Sequence, residues 1–578
     1  MTSNTKTIVR RVSDDTVPDS LPGDLHPVLR RTYRARQIYT AQELDRSFDR
    51  LLAPTLLKDI DRAVLLLAQI LAARGRILVV ADFDADGATS CALTVRALRE
   101  MGAAHVDYLV PNRFEYGYGL TPEIVALAAT REPDLIITVD NGISSVDGVA
   151  AARYRGIRVL ITDHHLPGAR LPDADAIVNP NQPGDAFPSK HLAGVGVAFY
   201  LMAALRAHLR DTGWFAKQEL PEPKLARWLD LVALGTVADL VPLDHNNRIL
   251  VAQGLGRMRA GRLTHGIQAL ANVAGRTCER LNEADLGFCV APRLNAAGRL
   301  ADMSLGIECL ITENPARALE IAAQLDELNR ERRSIEAQMQ EQALAAVRSL
   351  RHDGTALPRG LCLFDASWHQ GVIGLVASRI KEEVHRPVIA FAIGNETELK
   401  GSARSIPGLH IRDTLDAVAT RHPGLVTRFG GHAMAAGLTL PSAHFEQFRA
   451  AFDEEVSRRV AEDDLRGRIV SDGELTDEDL NLELAALLRN AGPWGQHFPE
   501  PLFDGVFEVA ERRIVGERHV KLVLRQSRKR VEAIGFHLAP DGAPPDWARI
   551  RAAYRLDVNE YRGTRALQLV LEHVEAID

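Results

Sequence analysis

The sequence predicts an α/β protein built on a doubly wound, mostly parallel sheet, followed by smaller domains. Short apolar runs rich in β-branched residues, at 77–81, 135–139 and 158–162, alternate with helical stretches of about 10–15 residues. This alternation is typical of βαβ units, whose strands are buried on both faces. In such sheets, ligands bind beyond the carboxyl ends of the strands.

The first two of five predicted regions lead into and contain this sheet. Residues 1–50 are polar and contain Pro18, Pro22 and Pro27, so we expect an extended N-terminal arm. Residues 51–265 contain the βαβ pattern, with a further strand at 105–110 between the first two runs. We therefore expect residues 51–265 to form the main α/β domain.

The other three regions differ from the first α/β domain in their patterns. Residues 266–354 are predicted to be a helical connector, in which 313–351 contain Pro315 near their start and no other proline or glycine. A single helix of this length extends on the order of 50 Å. Residues 355–455 fit a second α/β domain. Residues 465–578 fit several strands punctuated by glycine and proline, which favours a small barrel or sandwich.

Composition excludes several classes of protein. The 578 residues are 46% hydrophobic and 25% charged, close to the globular average, so a disordered or fibrous protein is excluded. With 69 basic and 76 acidic residues the net charge is −7, so nucleic-acid contacts require local basic patches. The five cysteines form no CxxC pair, which argues against a disulfide framework or a zinc finger.

No targeting or membrane segment is recognisable in the sequence. The first residues lack the apolar core of a signal peptide. The apolar stretches are shorter than the ~18–20 residues that span a bilayer. We therefore expect a soluble cytoplasmic protein with no membrane partner, and nothing in the sequence indicates more than a monomer.

Acidic motifs follow three of the predicted strands. DFDADG (82–87) follows the first strand, DNG (140–142) follows the third, and DHH (163–165) follows the fourth. Asp239 lies farther along, in the apolar helical segment LALGTVADLVPL. Because parallel strands end at a common edge of their sheet, we expect these motifs to meet there.

Such a concentration of like charge predicts bound divalent cations. Six carboxylates in one pocket repel one another, and some would be protonated unless cations neutralise them. Oxygen ligands with one or two imidazoles suit Mn²⁺ or Mg²⁺, and two ions sharing a carboxylate are a recurrent arrangement for attack on phosphate. A solvated acidic turn is the alternative for any single motif. An EF-hand loop does not fit, because its twelfth position is Leu93 where that loop has a Glu.

The motifs DFDADG, DNG, DHH and GTVADLVPL, in this order, resemble those of the DHH phosphoesterase superfamily. Within it, the chain from about residue 50 to its end resembles the RecJ family of single-strand-specific DNA exonucleases. The resemblance implies two Mn²⁺ or Mg²⁺ ions and digestion of single-stranded DNA from the 5′ end to 5′-mononucleotides, in DNA repair and recombination. It also implies that a helicase and a single-stranded-DNA-binding protein supply the substrate.

The resemblance further assigns roles within the motifs. Asp82 is either another ligand or an acid just outside the ligand set. Asp163 is expected to orient an imidazole, as metal-site histidines usually require, and His165 to steady the developing charge or to protonate the leaving oxygen. Asp140 is the expected bridging carboxylate. The implied metal ligands are Asp84, Asp86, Asp140, His164 and Asp239.

Two segments of the second α/β region, GSARS (401–405) and GGHAMAAG (430–437), resemble the DHHA1 domain of the same superfamily. Ser402 and Arg404 lie two apart on a predicted strand, so their side chains share a face and can hold a phosphate. Gly430 and Gly431 allow close approach of the backbone to a substrate, and His432 can add a donor. The alternative is a tight structural turn with a core histidine.

Two further arginines are predicted to contact DNA. Arg113 follows the second predicted strand, on the same rim as the acids, and suits a terminal 5′-phosphate or the adjacent backbone. Tyr116 and Tyr118 could stack on a base. Arg299 ends the segment RLNAAGR (293–299), which resembles a segment of RecJ proteins, and is a candidate for a backbone contact. The alternative for Arg113 is a surface arginine beside aromatic residues that pack on a loop, and the alternative for Arg299 is a purely structural role.

The C-terminal strands carry a local excess of positive charge. Between Glu511 and Arg530, eight Lys or Arg accompany two Glu. The position matches the oligonucleotide-binding (OB) domain of RecJ-like proteins, so we expect Arg518, Lys521 and Arg525 to contact single strands. A charged run can also be a solvated face.

Two other functions stay open from the sequence alone. Other DHH proteins act as phosphodiesterases on short oligonucleotides or cyclic dinucleotides, although these are typically shorter and lack the basic C-terminal barrel. A non-catalytic DNA-binding scaffold such as Cdc45 shares the ancestry. Such a scaffold should have lost metal ligands, whereas all four motifs are present here.

Overall fold

The structure, a computed structural model, forms two compact units. The N-terminal unit comprises Ser13–Asn329 and Asn490–Glu500, and the C-terminal unit comprises Met1–Val12, Arg330–Arg489 and Pro501–Asp578. Within the described ranges, no helix has the length and apolar character needed to cross a bilayer. The residues that the structure describes are 6–12, 14, 16–112, 119–352, 357–516, 518–539, 546–561 and 563–577.

The strands are numbered in chain order. They are β1 (Lys6–Arg10), β2 (Arg76–Ala81), β3 (His105–Leu109), β4 (Leu135–Val139), β5 (Arg158–Thr162), β6 (Ala176–Val178), β7 (Leu361–Phe364), β8 (Val388–Ile393), β9 (Glu398–Arg404), β10 (Arg428–Gly431), β11 (Ala435–Pro441), β12 (Gly467–Ser471), β13 (Phe503–Val515), β14 (His519–Gln526), β15 (Lys529–Gly535), β16 (Arg549–Tyr561) and β17 (Thr564–Ile577).

The α-helices are numbered in the same way. They are α1 (Pro27–Arg34), α2 (Ile60–Ala72), α3 (Ala85–Glu100), α4 (Pro122–Ala129), α5 (Val146–Tyr154), α6 (Gly194–Asp211), α7 (Trp214–Lys217), α8 (Leu229–Ala238), α9 (His245–Arg259), α10 (His265–Val273), α11 (Glu283–Asp285), α12 (Ala291–Leu300), α13 (Ser304–Ile311), α14 (Pro315–His352), α15 (Ile373–Val384), α16 (Ile411–Arg421), α17 (Phe445–Arg459) and α18 (Leu482–Ala491).

A five-stranded parallel sheet of order β3-β2-β4-β5-β6 forms the centre of the N-terminal unit. Leu78 and Ile136 pack on one face with residues of α4 and α5. Ile77 and Ile137, which alternate with them, are also buried, so both faces are covered, as near-continuous apolar strands require. The strand order reverses between β2 and β4, which creates the topological switch point where ligands bind in such sheets. The predicted doubly wound sheet is confirmed.

The first 50 residues differ from the extended arm that the sequence predicted. Strand β1 pairs in parallel with β12 in the C-terminal unit. Helix α1 belongs to the N-terminal unit, where the Tyr33 hydroxyl donates to the Ala491 carbonyl at 2.9 Å and its ring stacks on Trp494. The prolines dominated the sequence pattern, whereas partners more than 450 residues away order these segments.

The C-terminal unit contains the long helix from Arg330 onward, a mixed sheet and a barrel. Helix α14 confirms the helix predicted at 313–351. The mixed sheet has the order β10-β11-β9-β8-β7, in which β7 and β8 are parallel and the other pairs antiparallel. The last strands close into a barrel of order β13-β14-β15-β17-β16. The choice between barrel and sandwich is therefore resolved in favour of the barrel.

One buried carboxylate joins the N-terminal strand to this barrel. The side chain of Asp504 on β13 is 1% exposed and accepts from Arg10 Nε at 3.0 Å and Nη2 at 2.9 Å. The Ser471 hydroxyl donates to it at 2.5 Å and Arg551 Nη2 at 3.2 Å. Burial acts to raise the pKa of Asp504, but these bonds outweigh it and hold the pKa below its ordinary value.

Replacing Asp504 with Asn should lower the free energy of unfolding of the C-terminal unit by about 2 kcal/mol, because Arg10 and Arg551 lose a charged partner. Since the folded-state pKa is depressed, this contribution is present at neutral pH and is lost as the pH falls through that pKa. In thermal unfolding, the melting temperature of the variant should lie below that of the wild type at pH 7, and this difference should become smaller in acid. Glu446→Gln, at an exposed pair with Arg449, is the control and should shift the melting temperature little. Equal melting of the Asp504 variant and wild type would contradict this role.

Candidate metal centre

Three acids emerge where neighbouring strands of the parallel sheet end. Asp82 follows β2, Asp140 follows β4 and Asp163 follows β5, and all three side chains are buried. The side-chain amide of Asn141 links the ends of β2 and β4. Its Nδ2 donates to the Val80 carbonyl at 3.1 Å and to the Val139 carbonyl at 2.9 Å. The three motifs therefore lie at one edge of the sheet, as the sequence predicted.

Helix N-termini hold two more carboxylates in place. Asp84 caps α3, with its Oδ1 accepting from the Asp86 amide at 2.9 Å and the Gly87 amide at 3.0 Å. The Asp86 carboxylate accepts from the Gly194 and Val195 amides at the start of α6, at 2.6 and 2.9 Å. The positive ends of two helix dipoles therefore face the acids and offset part of their mutual repulsion.

His164 lies at the centre of the cluster. Its Nε2 is 3.1 Å from Asp140 Oδ1, 3.5 Å from Asp239 Oδ2 and 4.0 Å from Asp86 Oδ2. Asp239 lies at the C-terminal end of α8 and not at the end of a strand. Three triads have ligand atoms within 4.8 Å of one another: Asp82, Asp84 and Asp140; Asp86, His164 and Asp239; and Asp140, His164 and His165.

The carboxylate of Asp163 bonds to the turn that follows it. Oδ1 accepts from the His164 amide at 2.7 Å and the His165 amide at 3.1 Å, and Oδ2 accepts from the Ile143 amide at 2.9 Å. Nδ1 of His165 lies 2.7 Å from Oδ1. Asp163 therefore fixes the turn that carries both imidazoles and orients the ring of His165.

The electrostatics of the cluster favour added positive charge. Burial and then the neighbouring carboxylates raise the pKa values of Asp140 and Asp239 well above the ordinary value. Burial and Asp84 raise the pKa of Asp86 to about 7. Burial acts to lower the pKa of His165, but the hydrogen bond to Asp163 and the surrounding acids outweigh it and raise the pKa to about 9. The site therefore holds carboxylates that cannot all ionise without a counter-charge.

The donor set identifies what counter-charge fits. Carboxylate oxygens outnumber the imidazole nitrogens, and no cysteine belongs to the triads among the described residues. Hard oxygen-preferring divalent cations match this chemistry, whereas thiolate-loving ions do not. Asp140 and His164 each belong to two of the triads found among the described residues, so the triads adjoin one another in one continuous cluster.

Close backbone packing shapes the site, and sequence analysis did not identify it. Asp140 has a left-handed backbone, with φ of 62°, and its Cβ lies so near Gly194 that a Cβ on that glycine would be 2.6 Å away. The glycines of LAGVG (192–196) were the available signal for this close approach. A larger residue at Gly194 would therefore overlap the side chain of Asp140.

The RLNAAGR segment lies on α12 and packs against the DFDADG motif. Asn295 Oδ1 accepts from the Ala85 amide at 2.8 Å, and a Cβ on Gly298 would lie 1.9 Å from the Phe83 carbonyl oxygen. Arg293 pairs with Asp326 on α14, with Nε and Nη2 at 2.9 and 2.8 Å from Oδ1. Arg299 is half-buried on the same helix. The supporting roles of Asn295, Gly298 and Arg293 were not predicted, and the DNA-backbone contact of Arg299 stays a prediction.

The predicted DHHA1-like residues lie in the mixed sheet of the C-terminal unit. Ser402 and Arg404 share a face of β9, and Arg404 Nη1 donates to the Ser402 hydroxyl at 3.1 Å. Burial lowers the pKa of Arg404, and no described carboxylate pairs with it. Gly430 and Gly431 lie on β10, and His432 follows them with an exposed side chain. The pair on β9 therefore presents a guanidinium and a hydroxyl without a counter-charge.

The barrel neutralises part of its predicted positive run. Lys521 lies 2.7 Å from Glu532, and Arg525 Nε donates to Glu508 at 2.9 Å, acids that fall outside the 511–530 window. Arg518 is exposed, with no acidic partner in the part of the chain that is described. The local excess of charge is therefore smaller on the folded surface than in the sequence. Arg113, Tyr116 and Tyr118 lie outside the described residues.

Substituting Gly298 with Ala should disturb the acidic cluster, because the new methyl group would overlap the Phe83 carbonyl between Asp82 and Asp84. We expect a lower melting temperature and a loss of stabilisation by divalent cations. Gly256→Ala on α9 is the matched control, since nothing lies within 4 Å of its Cβ position. This control should raise stability by roughly 0.5–1 kcal/mol. Thermal melting with and without Mn²⁺ measures both, and an unchanged cation effect in the Gly298 variant would contradict the packing argument.

Three parts of the chain match known domain families. Residues 76–236 match the DHH family N-terminal domain, residues 357–458 match the DHHA1 domain, and residues 471–573 match the RecJ OB domain. These matches cover the metal cluster except Asp239, the mixed sheet, and the barrel as far as residue 573, respectively.

Whole-length relatives agree with these matches. The chain is 54% identical over 571 residues to the single-stranded-DNA-specific exonuclease RecJ of Dickeya dadantii, covering 98% of each chain. It is 51% identical over 568 residues to the Escherichia coli protein of the same name, again covering 98% of each. The crystal structure of RecJ in complex with Mn²⁺ from Thermus thermophilus matches with a TM-score of 0.79 and 30% identity, covering 96% of this chain and 76% of that chain. The chain therefore belongs to the RecJ family of single-stranded-DNA-specific exonucleases.

Proposed function

We propose that this chain digests single-stranded DNA in the 5′→3′ direction and releases 5′-mononucleotides, using two Mn²⁺ or Mg²⁺ ions, in DNA repair and recombination. The observation that carries the proposal is the convergence of carboxylates and imidazoles from three strand ends and one helix end. This set suits metal-assisted hydrolysis of a phosphodiester better than binding alone. The name shared by its relatives supports the substrate class.

Five side chains are our proposed ligands, and Asp140 is the one that both ions share. Asp140 and His164 each belong to two triads, and Asp140 is the one of the two with a pair of carboxylate oxygens to share between ions, which supports that bridging role. Asp82, in a triad with Asp84 and Asp140, either completes one ligand set or steadies it. The proposed ligands are Asp84, Asp86, Asp140, His164 and Asp239.

The proposed reaction breaks the bond between phosphorus and the 3′ oxygen of the terminal nucleotide. When bound, the two cations supply an activated water and neutralise the charge on the phosphate. The leaving 3′ oxygen needs a proton or a nearby positive charge. His165, held by Asp163 at 2.7 Å, suits either role, because an imidazole can donate a proton or carry a positive charge.

Binding of the strand is assigned to residues of the C-terminal unit and to two arginines of the N-terminal unit. Arg404 and Ser402 suit a phosphate because a guanidinium and a hydroxyl point from one strand face. The exposed salt bridge of Arg525 can be exchanged for a backbone phosphate, since exposed pairs are weak. Lys521, which is 19% exposed and pairs with Glu532, is a further proposed contact. The remaining proposed contacts are Arg113, Arg299, Gly430, Gly431, His432 and Arg518.

In the cell, this proposal requires a source of single strands. We assign that supply to a helicase and a single-stranded-DNA-binding protein, and we place the reaction in the cytoplasm with the chain acting as a monomer. Two outcomes would contradict the proposed exonuclease. Cleavage limited to short oligonucleotides or cyclic dinucleotides would indicate a phosphodiesterase for those substrates, and DNA binding without cleavage would indicate a non-catalytic scaffold.

Replacing Asp84 with Ala should abolish cleavage and leave DNA binding within about twofold, because the strand contacts lie on other residues. The assay is digestion of single-stranded DNA labelled in parallel at either end, with Mn²⁺, with Mg²⁺ and with EDTA. The wild type should release mononucleotides early from the 5′ label, only with metal, and should act poorly on blunt duplex. Asp61→Ala, at an exposed acid on α2, is the matched control and should cleave normally. Cleavage by the Asp84 variant at the wild-type rate would contradict the ligand assignment.

Replacing Arg404 with Ala should raise KM for single-stranded DNA at least tenfold with a smaller change in kcat, since a charged hydrogen bond to phosphate contributes about 1.5–3 kcal/mol. Arg404→Lys should recover only part of the loss, because a lysine cannot make the forked contact. Arg449→Ala, at an exposed salt bridge on α17, serves as the control. Steady-state digestion measures both constants, and an Arg404→Ala variant with unchanged KM would exclude the phosphate contact.

A further inference from the structure

A small cavity in the C-terminal unit lies apart from the residues assigned above. It has a volume of about 190 Å³ and is lined by residues of β1, β12, the end of α15 and the segment after β9. Its apolar wall includes Ile406 and Pro407. This volume is more than ten times the ~10–15 Å³ that a single water requires, so the cavity has room for a polyatomic ligand.

The cavity is lined by basic groups from separate elements. Lys6 comes from β1, Lys381 from the last turn of α15, and His385 caps that helix. Arg468, on β12, also lines it. The acid among the described lining residues is Glu382, which lies 3.5 Å from Arg379 and accepts from the Ser378 hydroxyl at 3.5 Å. Lys6 and Lys381 form no ion pair with any described acid, so the cavity carries an uncompensated positive charge.

Several cations lie close to His385. Burial lowers the pKa of His385, and the charges of Lys381, Lys6 and Arg386 lower it further. Like charges that share a partly enclosed space destabilise the fold unless an anion joins them. The lining therefore presents positive groups that would attract an anion.

The helix end accounts for only part of this arrangement. Lys381 in the last turn of α15 complements the negative end of the helix dipole. Lys6 belongs to a different element, a strand that pairs with β12 so that Lys6 lies opposite Gly467. Gly467 also lines the cavity. The dipole gives no reason for this second cation.

We propose that this cavity is a phosphate-binding site, separate from the metal cluster, in which Lys6 and Lys381 hold the anion and His385 lies beside it. Ammonium groups bind phosphate as point charges and do not require a fixed fork geometry. The phosphate belongs either to a nucleic-acid backbone or to a free phosphate or nucleotide. The inference goes beyond the proposed nuclease activity, because it requires neither cleavage nor a bound metal.

The test is residue-resolved acetylation of lysines on the full chain in EDTA, read by mass spectrometry. Its arms are sodium phosphate, thymidine 5′-monophosphate, an oligothymidylate with a 5′-hydroxyl, and sodium chloride at equal ionic strength. Phosphate should slow acetylation of Lys6 and Lys381 at least fivefold relative to chloride and leave Lys224, exposed in the N-terminal unit, unchanged. Protection by the oligothymidylate identifies a backbone site, and protection by phosphate and the mononucleotide alone identifies a free-phosphate site.

Two variants separate binding from general effects of salt. Lys381→Glu should remove the protection of Lys6 while the chain keeps its melting temperature within a few degrees. Arg449→Glu on α17, which does not line the cavity, should keep the protection. Equal acetylation of Lys6 and Lys381 in all four arms would overturn the proposal, as would protection of Lys6 that survives in Lys381→Glu. Because EDTA prevents metal-dependent cleavage, neither result depends on whether the chain is a nuclease.

Discussion

The burial of several carboxylates at one edge of a parallel sheet is the constraint on which the rest of the candidate site depends. The sheet brings Asp82 and Asp140 together because β2 and β4 are neighbours at the point where the strand order reverses. Their mutual repulsion adds to burial in raising the pKa of Asp140. Backbone amides, helix N-termini and histidines around the cluster offset part of that repulsion. A pair of divalent cations would neutralise what remains.

The supporting contacts fall into two kinds that act on different parts of the cluster. Asp163 uses its oxygens to accept from the amides of the DHH turn and to contact Nδ1 of His165, so it orders imidazoles and is a poor ligand itself. Asp86 and Asp84 are held by helix N-termini, which fixes their orientation before any ion binds. Pre-ordered ligands reduce the reorganisation that binding or catalysis requires. The cluster is therefore rigid where charge is most concentrated.

Local patterns in the sequence were enough to predict the acids and their strands, but not the contacts that hold them. Asp82 and Asp140 follow apolar runs that are typical of buried strands. By contrast, Gly194 bonds to a carboxylate 108 residues earlier and Asn295 to an amide 210 residues earlier, and no local pattern encodes such pairs. The same reason explains the error over residues 1–50. There, Arg10 and Tyr33 are ordered by partners near the other end of the chain.

The most direct test of this account is a count of Mn²⁺ ions bound per chain, measured by electron paramagnetic resonance of the free ion during titration. The account predicts two ions for the wild type, with both sites weakened in Asp140→Asn because that carboxylate is shared. Asp61→Ala should bind as the wild type does. A single ion per chain, or an Asp140→Asn variant that binds two ions with wild-type affinity, would contradict the shared-carboxylate site on which the proposed hydrolysis rests.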